Sequence, residues 1–183
     1  MNRAMATWMT ATGLAAATMM AVAVPQAATA QVLGSDAAAC TGGGGPAILA
    51  RIEGLKDRKG NLKLELYPAN EEDFLADDGV LIRAGKTFRR VQVPTPAGGG
   101  TPMMCIRVPH PGRYALLFTH DRDGKNKFNF WSDGAGFPAN TKLGRRKPPL
   151  ASALIDVPSG VANVTIRAQY LRGLGGFGPV DPD

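Results

Sequence analysis

Histidine and cysteine are scarce in this sequence, with two residues of each among 183. The histidines are His110 and His120. Because a metal site built on cysteine needs further soft ligands nearby, this composition gives little basis for one. No serine or cysteine stands in a nucleophile motif, and we find neither an internal repeat nor a glycine-rich phosphate loop before a helix. We therefore expect a protein that is not an enzyme.

Long apolar runs are missing after the first thirty residues. At the N-terminus, Arg3 precedes an apolar stretch at 14–24, and Ala28-Thr29-Ala30 fits the small-x-small pattern of a signal peptidase site. The stretch is shorter than the roughly 20 residues that a membrane-spanning helix requires. We predict a signal peptide over 1–30, cleaved near Ala30, and a periplasmic or extracellular bacterial protein without a transmembrane segment.

The charge of the chain is basic but is not concentrated. Lysine and arginine outnumber aspartate and glutamate by 21 to 15, which gives a formal net charge of +6. The basic residues are spread along the sequence, although Arg145-Arg146-Lys147 forms a short run. Nucleic-acid binding needs a concentrated basic face, usually with stacking aromatics or a recognisable module. We expect solvated surface charge and no nucleic-acid partner.

The two cysteines fit a disulfide, because exported proteins occupy oxidising compartments. Cys40 precedes the first predicted strand and Cys105 lies within a later one. A bond between them would hold the N-terminal arm against the sheet.

Alternation of apolar and polar residues with a period of two predicts β-strands along most of the chain. In 61–67, for example, three leucines alternate with Lys63 and Glu65. These strands predict an all-β fold, an antiparallel β-sandwich of about seven or eight strands. The predicted strands are 47–55, 61–67, 80–82, 88–93, 103–108, 113–119, 153–157 and 161–171.

Turn sequences between the strands predict two hairpins. Asp57-Arg58-Lys59-Gly60 would join the first two strands, and Pro158-Ser159-Gly160 would join the last two. The one predicted helix is a short connector at 70–75, where Asn70 can cap and acidic residues follow.

The chain divides into four regions at this level. After the signal peptide, 31–46 is glycine-rich and is predicted to be a flexible arm. Residues 47–171 form the β-sandwich domain. Residues 172–183 have too little apolar surface to order themselves and are predicted to be a disordered tail.

A long polar loop follows the central strand at 113–119. Its acidic residues partly match a calcium-binding pattern, in which alternate residues of a tight turn supply oxygens. Lys125 replaces one oxygen donor and Asn126 stands where glycine is expected. These departures disfavour calcium, and no other cofactor is expected. The candidate ligands are Asp121, Asp123 and Asn129, with Asp133 as a supplement.

His120 and Asp121 stand where the central strand meets this loop. A histidine at the end of a core strand is more often a hydrogen-bonded anchor than a base, and Asp121 would orient its imidazole. Aspartate and asparagine side chains also hold irregular loops in shape by bonding to the backbone. We predict that both residues anchor the loop, and we favour this over an enzyme that uses the pair.

The second half of the loop is rich in aromatic residues and provides the candidate binding site. Exposed, these side chains would form a platform on which a sugar could stack. Folded back, they would form a lid over the open end of the sandwich, which we favour because long loops bury their own aromatics. The candidate binding residues are Phe128, Phe130, Trp131, Phe137 and Asn140.

The order of these motifs resembles a known family. A Gly112-x-Tyr114 strand ends in His120-Asp121, an Asp/Asn/Lys loop leads to Gly136-Phe137, and Asn140 and Pro148-Pro149 follow. This order is similar to the bacterial secreted family called domain of unknown function 2141. The resemblance covers 47–171 and implies a compact β-sandwich of the transthyretin or carboxypeptidase-regulatory type. It implies no activity, because the family is uncharacterised.

The sequence favours an exported, non-enzymatic binding or accessory module of the cell envelope. Its partner would be an envelope protein or a glycan held by the aromatic part of the loop. A purely structural envelope protein is the alternative, as is a weak calcium-binding module that uses Asp121 and Asp123.

Overall fold

The computed structural model describes residues 31–180, so the predicted signal peptide lies outside the described residues. Within 31–180, eleven strands form two sheets that pack face to face. The predicted all-β sandwich is confirmed. There are more strands than the seven or eight expected, because several are only two or three residues long and show no readable alternation. None of the helices in this part of the chain is long and apolar enough to cross a membrane.

The first sheet contains four strands and mixes parallel and antiparallel pairs. In spatial order the strands are β1 (Val32–Leu33), β5 (Met103–Arg107), β2 (Ala47–Glu53) and β9 (Val161–Arg167). β2 is antiparallel to β5 and parallel to β9, and β1 runs parallel to β5 at the edge.

The second sheet contains seven strands, and all of its pairs are antiparallel. The strands are β11 (Phe177–Pro179), β10 (Gln169–Leu171), β7 (Gly134–Gly136), β6 (Gly112–Asp121), β3 (Asn61–Pro68), β4 (Arg89–Pro94) and β8 (Leu154–Val157). The central strand is β6, which pairs with β3 along one side. On the other side β8 pairs with the first half of β6, and β7 with the second half.

Neither predicted hairpin forms. β2 and β3 belong to different sheets, and so do β8 and β9, so each turn carries the chain across the sandwich. β2 instead takes β5 and β9 as neighbours, which are distant in sequence. The predicted strand at 161–171 is also divided at Ala168, where the chain passes from β9 in the first sheet to β10 in the second.

The helix begins later in the chain than predicted. Residues 71–75 form turns rather than a helix, and the positive φ of 63° at Leu75 interrupts them. Helix α2 follows at Asp78–Arg83, where the Asp77 side chain caps it by accepting from the Val80 N–H. The predicted strand at 80–82 is therefore wrong. The other α-helix of the described residues, α1, is Ala37–Thr41.

The predicted flexible arm is structured over most of its length. It supplies β1 and α1, and the predicted disulfide between Cys40 and Cys105 joins α1 to β5 with a Cα–Cα distance of 6.0 Å. Asp36 adds a second link, because its carboxylate binds the Arg89 side chain and the Arg107 N–H. That guanidinium and N–H lower the pKa of Asp36 despite the opposing effect of burial.

The predicted disordered tail also needs correction over 172–180. Here β11 pairs with β10, and Phe177 is only 3% exposed. The segment has little apolar surface of its own, but the Phe177 ring contacts Phe128 and Phe130 of the long loop. Tertiary contacts therefore order a stretch that its composition alone predicts to be disordered.

The sandwich core lies between the two sheets. Side chains on alternate positions of the facing strands fill it, as the period of two requires. The fully buried members with the largest side chains are Ile48, Ile52, Leu62, Leu64, Leu66, Met104, Ile106, Leu116, Phe118 and Ile166.

Removal of the disulfide should destabilise the fold. The bond closes a loop with a sequence separation of 65 residues, for which loop entropy gives a contribution of about 4 kcal/mol. We expect a double variant, Cys40→Ala with Cys105→Ala, to lose about that free energy of unfolding in urea denaturation. A reductant should lower the free energy of unfolding of the wild type by a similar amount and leave that of the double variant unchanged. Equal stability of the two proteins would contradict this prediction.

Candidate functional site

The second sheet is buried on both faces, including the face that points away from the sandwich core. On β3 the outward side chains of Lys63, Glu65 and Tyr67 are only 3%, 7% and 5% exposed. A second cluster of buried residues covers this face, and most of it comes from connecting segments. We call this covering the outer layer; its large apolar members are Phe74, Leu81, Phe137, Leu143 and Phe177.

A groove of about 470 Å³ lies between this face of the sheet and the outer layer. We call it the outer groove. Its volume is within the range of small-molecule sites, which is roughly 300–1,000 Å³. Five aromatic residues line it, together with smaller apolar side chains. The aromatic residues are Tyr67, Phe128, Phe130, Phe137 and Phe177, and the other apolar residues are Leu75, Leu117, Ala135, Leu143 and Pro148.

Three of the five predicted binding residues line the outer groove. Phe137 is buried, whereas Phe130 is half-buried and Phe128 is 48% exposed. The rings of Phe128 and Phe130 lie 6.2 and 5.1 Å from that of Phe177. These aromatics thus pack over the outer face of the second sheet, and not over the open end of the sandwich as the lid interpretation expected.

The other two predicted binding residues lie elsewhere. Trp131 is 81% exposed and touches the edge of Phe130 at 5.6 Å between ring centroids. Asn140 joins its loop to β9, because its amide donates to the Thr165 carbonyl and its oxygen accepts from the Arg167 N–H. These hydrogen bonds hold the Asn140 loop against β9.

The charged side chains on the floor of the outer groove are paired. Lys63 lies 3.3 Å from Asp121, and the Glu65 carboxylate accepts from Arg90 at 2.5 Å and from the Tyr67 hydroxyl at 3.0 Å. Burial, together with the negative charge of Glu65, raises the pKa of Tyr67. Tyr67 therefore remains a neutral donor, and the floor carries little net charge.

The basic run at 145–147 forms one rim of the outer groove. Arg145 donates to the Gly173 carbonyl, and the Lys147 ammonium lies 5.5 Å from the centroid of the Phe74 ring. Arg146 makes no hydrogen bond or ion pair with the residues at 31–180. From the sequence this run was expected to be solvated surface. Only the fold shows that it borders an aromatic groove.

His120 is fully buried and has both ring nitrogens bonded. Nε2 lies 2.8 Å from the Lys59 carbonyl, which can only accept, so Nε2 carries the proton. Nδ1 then accepts from the Tyr170 hydroxyl at 2.6 Å, and that hydroxyl accepts from the Lys56 N–H. These contacts orient the His120 imidazole, which Asp121 was expected to do. They also join β6 to β10 and to the 56–59 turn.

Burial shifts the pKa values of both His120 and Tyr170. It lowers the pKa of His120 and raises the pKa of Tyr170 to about 12. Gly134 makes room for the arrangement, because a Cβ there would overlap the Tyr170 ring.

Asp121 holds the start of the loop. Its Oδ2 accepts from the Asn126 N–H at 3.1 Å, while its Oδ1 is buried and accepts no hydrogen bond from the described residues. Asn129 donates its side-chain amide to Asp123, whose pKa this bond lowers. The three predicted metal candidates are thus adjacent, and Asp133 joins them with its carboxylate.

Asp133 has a larger role than the sequence indicated. It is 1% exposed, and its two oxygens accept from the N–H groups of Arg122 and Asn129 and from the Ser132 hydroxyl. It therefore fixes both ends of the loop. Its position outside the calcium pattern gave no signal of this.

Acidification should destabilise the protein through His120. The unfolded histidine binds a proton below pH 6.5, whereas the buried native one does so only at lower pH. The free energy of unfolding is therefore expected to fall as the pH drops from 7 to 5, in a series of urea denaturations. His120→Gln should be less stable at pH 7, by about 1–3 kcal/mol, with a flatter pH dependence.

His110→Gln is the matched control for this pH series, because His110 is exposed. It should keep the wild-type slope. The lowered pKa values of Asp36 and Asp57 affect stability only below about pH 4 and so do not enter this window. An unchanged slope in His120→Gln would exclude the buried imidazole as the cause.

Comparison with known proteins gives a family but no relative of known activity. A family model described as "uncharacterized protein conserved in bacteria", domain of unknown function 2141, matches residues 50–165. No curated protein and no solved structure matches the chain. The matched range begins within β2 and ends within β9, so it includes the long loop and the floor of the outer groove. Because the match covers more than half of the sequence, the chain belongs to the bacterial family called domain of unknown function 2141.

Proposed function

We propose that this protein is an exported, non-enzymatic binding module of the bacterial cell envelope, and that its ligand occupies the outer groove. The observation that carries the proposal is the combination of an aromatic lining with a basic rim around about 470 Å³. A monomer that only needed to cover its sheet would gain by closing this space, since apolar surface left in water is unfavourable.

The ligand that fits this site is a small amphipathic molecule with an anionic group. Its apolar part would lie against Phe128, Phe130 and Phe177, and its charge would face the basic rim. Arg146 is the residue suited to that charge, because its guanidinium has no partner at 31–180 and presents a fork of donors to a carboxylate or phosphate.

Two features support the envelope location. The sequence predicts a signal peptide at 1–30, and the Cys40–Cys105 disulfide is typical of proteins in oxidising compartments. The envelope ligand or partner expected from the sequence would then meet the groove outside the cytoplasm.

The surroundings of His120 support a role other than catalysis. Both of its nitrogens are engaged in a fully buried network, so no substrate proton can reach them without opening the fold. Its contacts join β6 to β10, which is the work of a structural residue.

The proposal predicts that a twelve-carbon chain binds according to its head group. In calorimetric titrations below the micelle concentration, laurate and dodecyl phosphate should bind at least roughly tenfold more tightly than dodecanol. Dodecyltrimethylammonium should bind most weakly, because its charge meets the basic rim. A difference between laurate and dodecyl phosphate would distinguish a carboxylate from a phosphate ligand.

Variants locate the binding site. Arg146→Gln should weaken only the anionic ligands, by roughly tenfold, whereas Phe128→Ala should weaken every member of the series. Arg51→Gln is the matched control, since Arg51 is an exposed arginine on β2 in the other sheet. Equal affinities of laurate and dodecyltrimethylammonium, or absence of binding across the series, would refute the proposal.

A further inference from the structure

The acidic cluster next to the outer groove consists of Asp121, Asp123 and Asp133. One carboxylate oxygen from each lies within 4.8 Å of the others. Two oxygens on the same calcium ion are at most about 4.8 Å apart, because each Ca–O bond is about 2.4 Å long. One calcium ion can therefore reach all three carboxylates. Magnesium demands near-ideal octahedral geometry and gives up its water reluctantly, so it is less suited to a site on an irregular loop.

An unsatisfied atom gives independent evidence for a ligand here. Asp121 is 0% exposed, and its Oδ1 has no hydrogen-bond partner among the described residues. A buried carboxylate oxygen without a partner costs free energy, and native proteins rarely leave one so. Its second oxygen already serves the Asn126 N–H and Lys63. Oδ1 is thus the oxygen that remains for a cation.

The charges of the cluster match a divalent ion. Lys63 is buried and compensates only one of the three carboxylates, which leaves a formal charge of −2. Lys125 lies 3.7 Å from Asp123, but its side chain is 75% exposed and can turn into solvent. A calcium ion would neutralise the remainder without moving any buried group.

The departures from the calcium pattern are less severe in the structure than in the sequence. Asn126 adopts φ 61°, so it takes the left-handed conformation for which glycine was expected. Asn129 does not supply the missing acid, but the buried carboxylate of Asp133 does. The backbone N–H groups of Arg122 and Asn129 hold that carboxylate in place.

We propose that Asp121, Asp123 and Asp133 bind one calcium ion, with Asp121 Oδ1 as its buried ligand. Backbone carbonyls and water complete the six to eight oxygens that calcium takes. The site does not depend on a ligand in the outer groove, so either proposal can fail alone.

Thermal unfolding of the full chain after chelator treatment tests the site directly. A calcium module outside the cytosol binds with a Kd of about 10⁻⁴–10⁻³ M. At roughly 10 mM calcium chloride the melting temperature should then rise by at least about 3 °C. The same concentration of magnesium chloride, or sodium chloride of equal ionic strength, should give a much smaller rise.

Matched variants assign the ion to this cluster. Asp123→Asn should weaken calcium binding at least about tenfold in calorimetry, since it removes a ligand charge at an exposed position. Asp156→Asn should leave calcium affinity unchanged, because Asp156 is an exposed aspartate that pairs with Arg113 on the surface.

A gain of affinity separates a calcium site from a merely structural cluster. Lys125→Asn replaces the ammonium at the rim by an oxygen donor and should tighten calcium binding. Lys127→Asn removes the same charge from an exposed neighbour and should tighten it less. Absence of a calcium-specific shift, full calcium affinity in Asp123→Asn, or equal affinities of the two lysine variants would overturn the proposal.

Discussion

Burial of both faces of the second sheet is the constraint on which the rest of the structure depends. β3 and β6 carry apolar side chains towards the sandwich core and, on their other face, Tyr67, Ala115 and Leu117. The first sheet covers only one of these faces. A sheet buried on both sides needs a third layer, and in this chain the connecting segments provide it, together with the Phe177 side chain of the edge strand β11. The outer groove lies where that layer leaves the sheet uncovered.

The same burial dictates how the charges are arranged. Lys63 and Glu65 occupy outward positions of β3, and both are taken out of water once the outer layer forms. Unpaired buried charges are costly, so each has a partner of opposite sign, Asp121 for the lysine and Arg90 for the glutamate. Around the outer groove, charge without a buried partner of opposite sign is therefore found at the basic rim and in the acidic cluster. Each of these two places carries one of the proposals made above.

The sequence identified strands far better than their partners. Alternation is a local property, and it located β2, β3 and β6 to within a few residues. Pairing is not local: a turn such as Pro158-Ser159-Gly160 shows that the chain reverses, but not that it crosses to the other sheet. The helix was misplaced because Asn70 and Asp77 are both good caps, and only the latter is followed by a helix. The order of 172–180 depends on aromatic rings more than forty residues away, which no local composition can show.

The long loop resolves into two sides, which explains why its sequence supported opposing interpretations. Its polar side chains, among them Asp123 and Asp133, lie close to Asp121, and the Asn129 side-chain amide donates to Asp123. Its aromatic side chains, Phe128 and Phe130, turn towards Phe177 and the outer groove. The two sets share one backbone, so a contact that orders the acidic side chains also restrains the positions of Phe128 and Phe130. The aromatic rings therefore combine a part of each interpretation. They cover the outer face of the second sheet where they are buried, and they present a surface where the outer groove remains open.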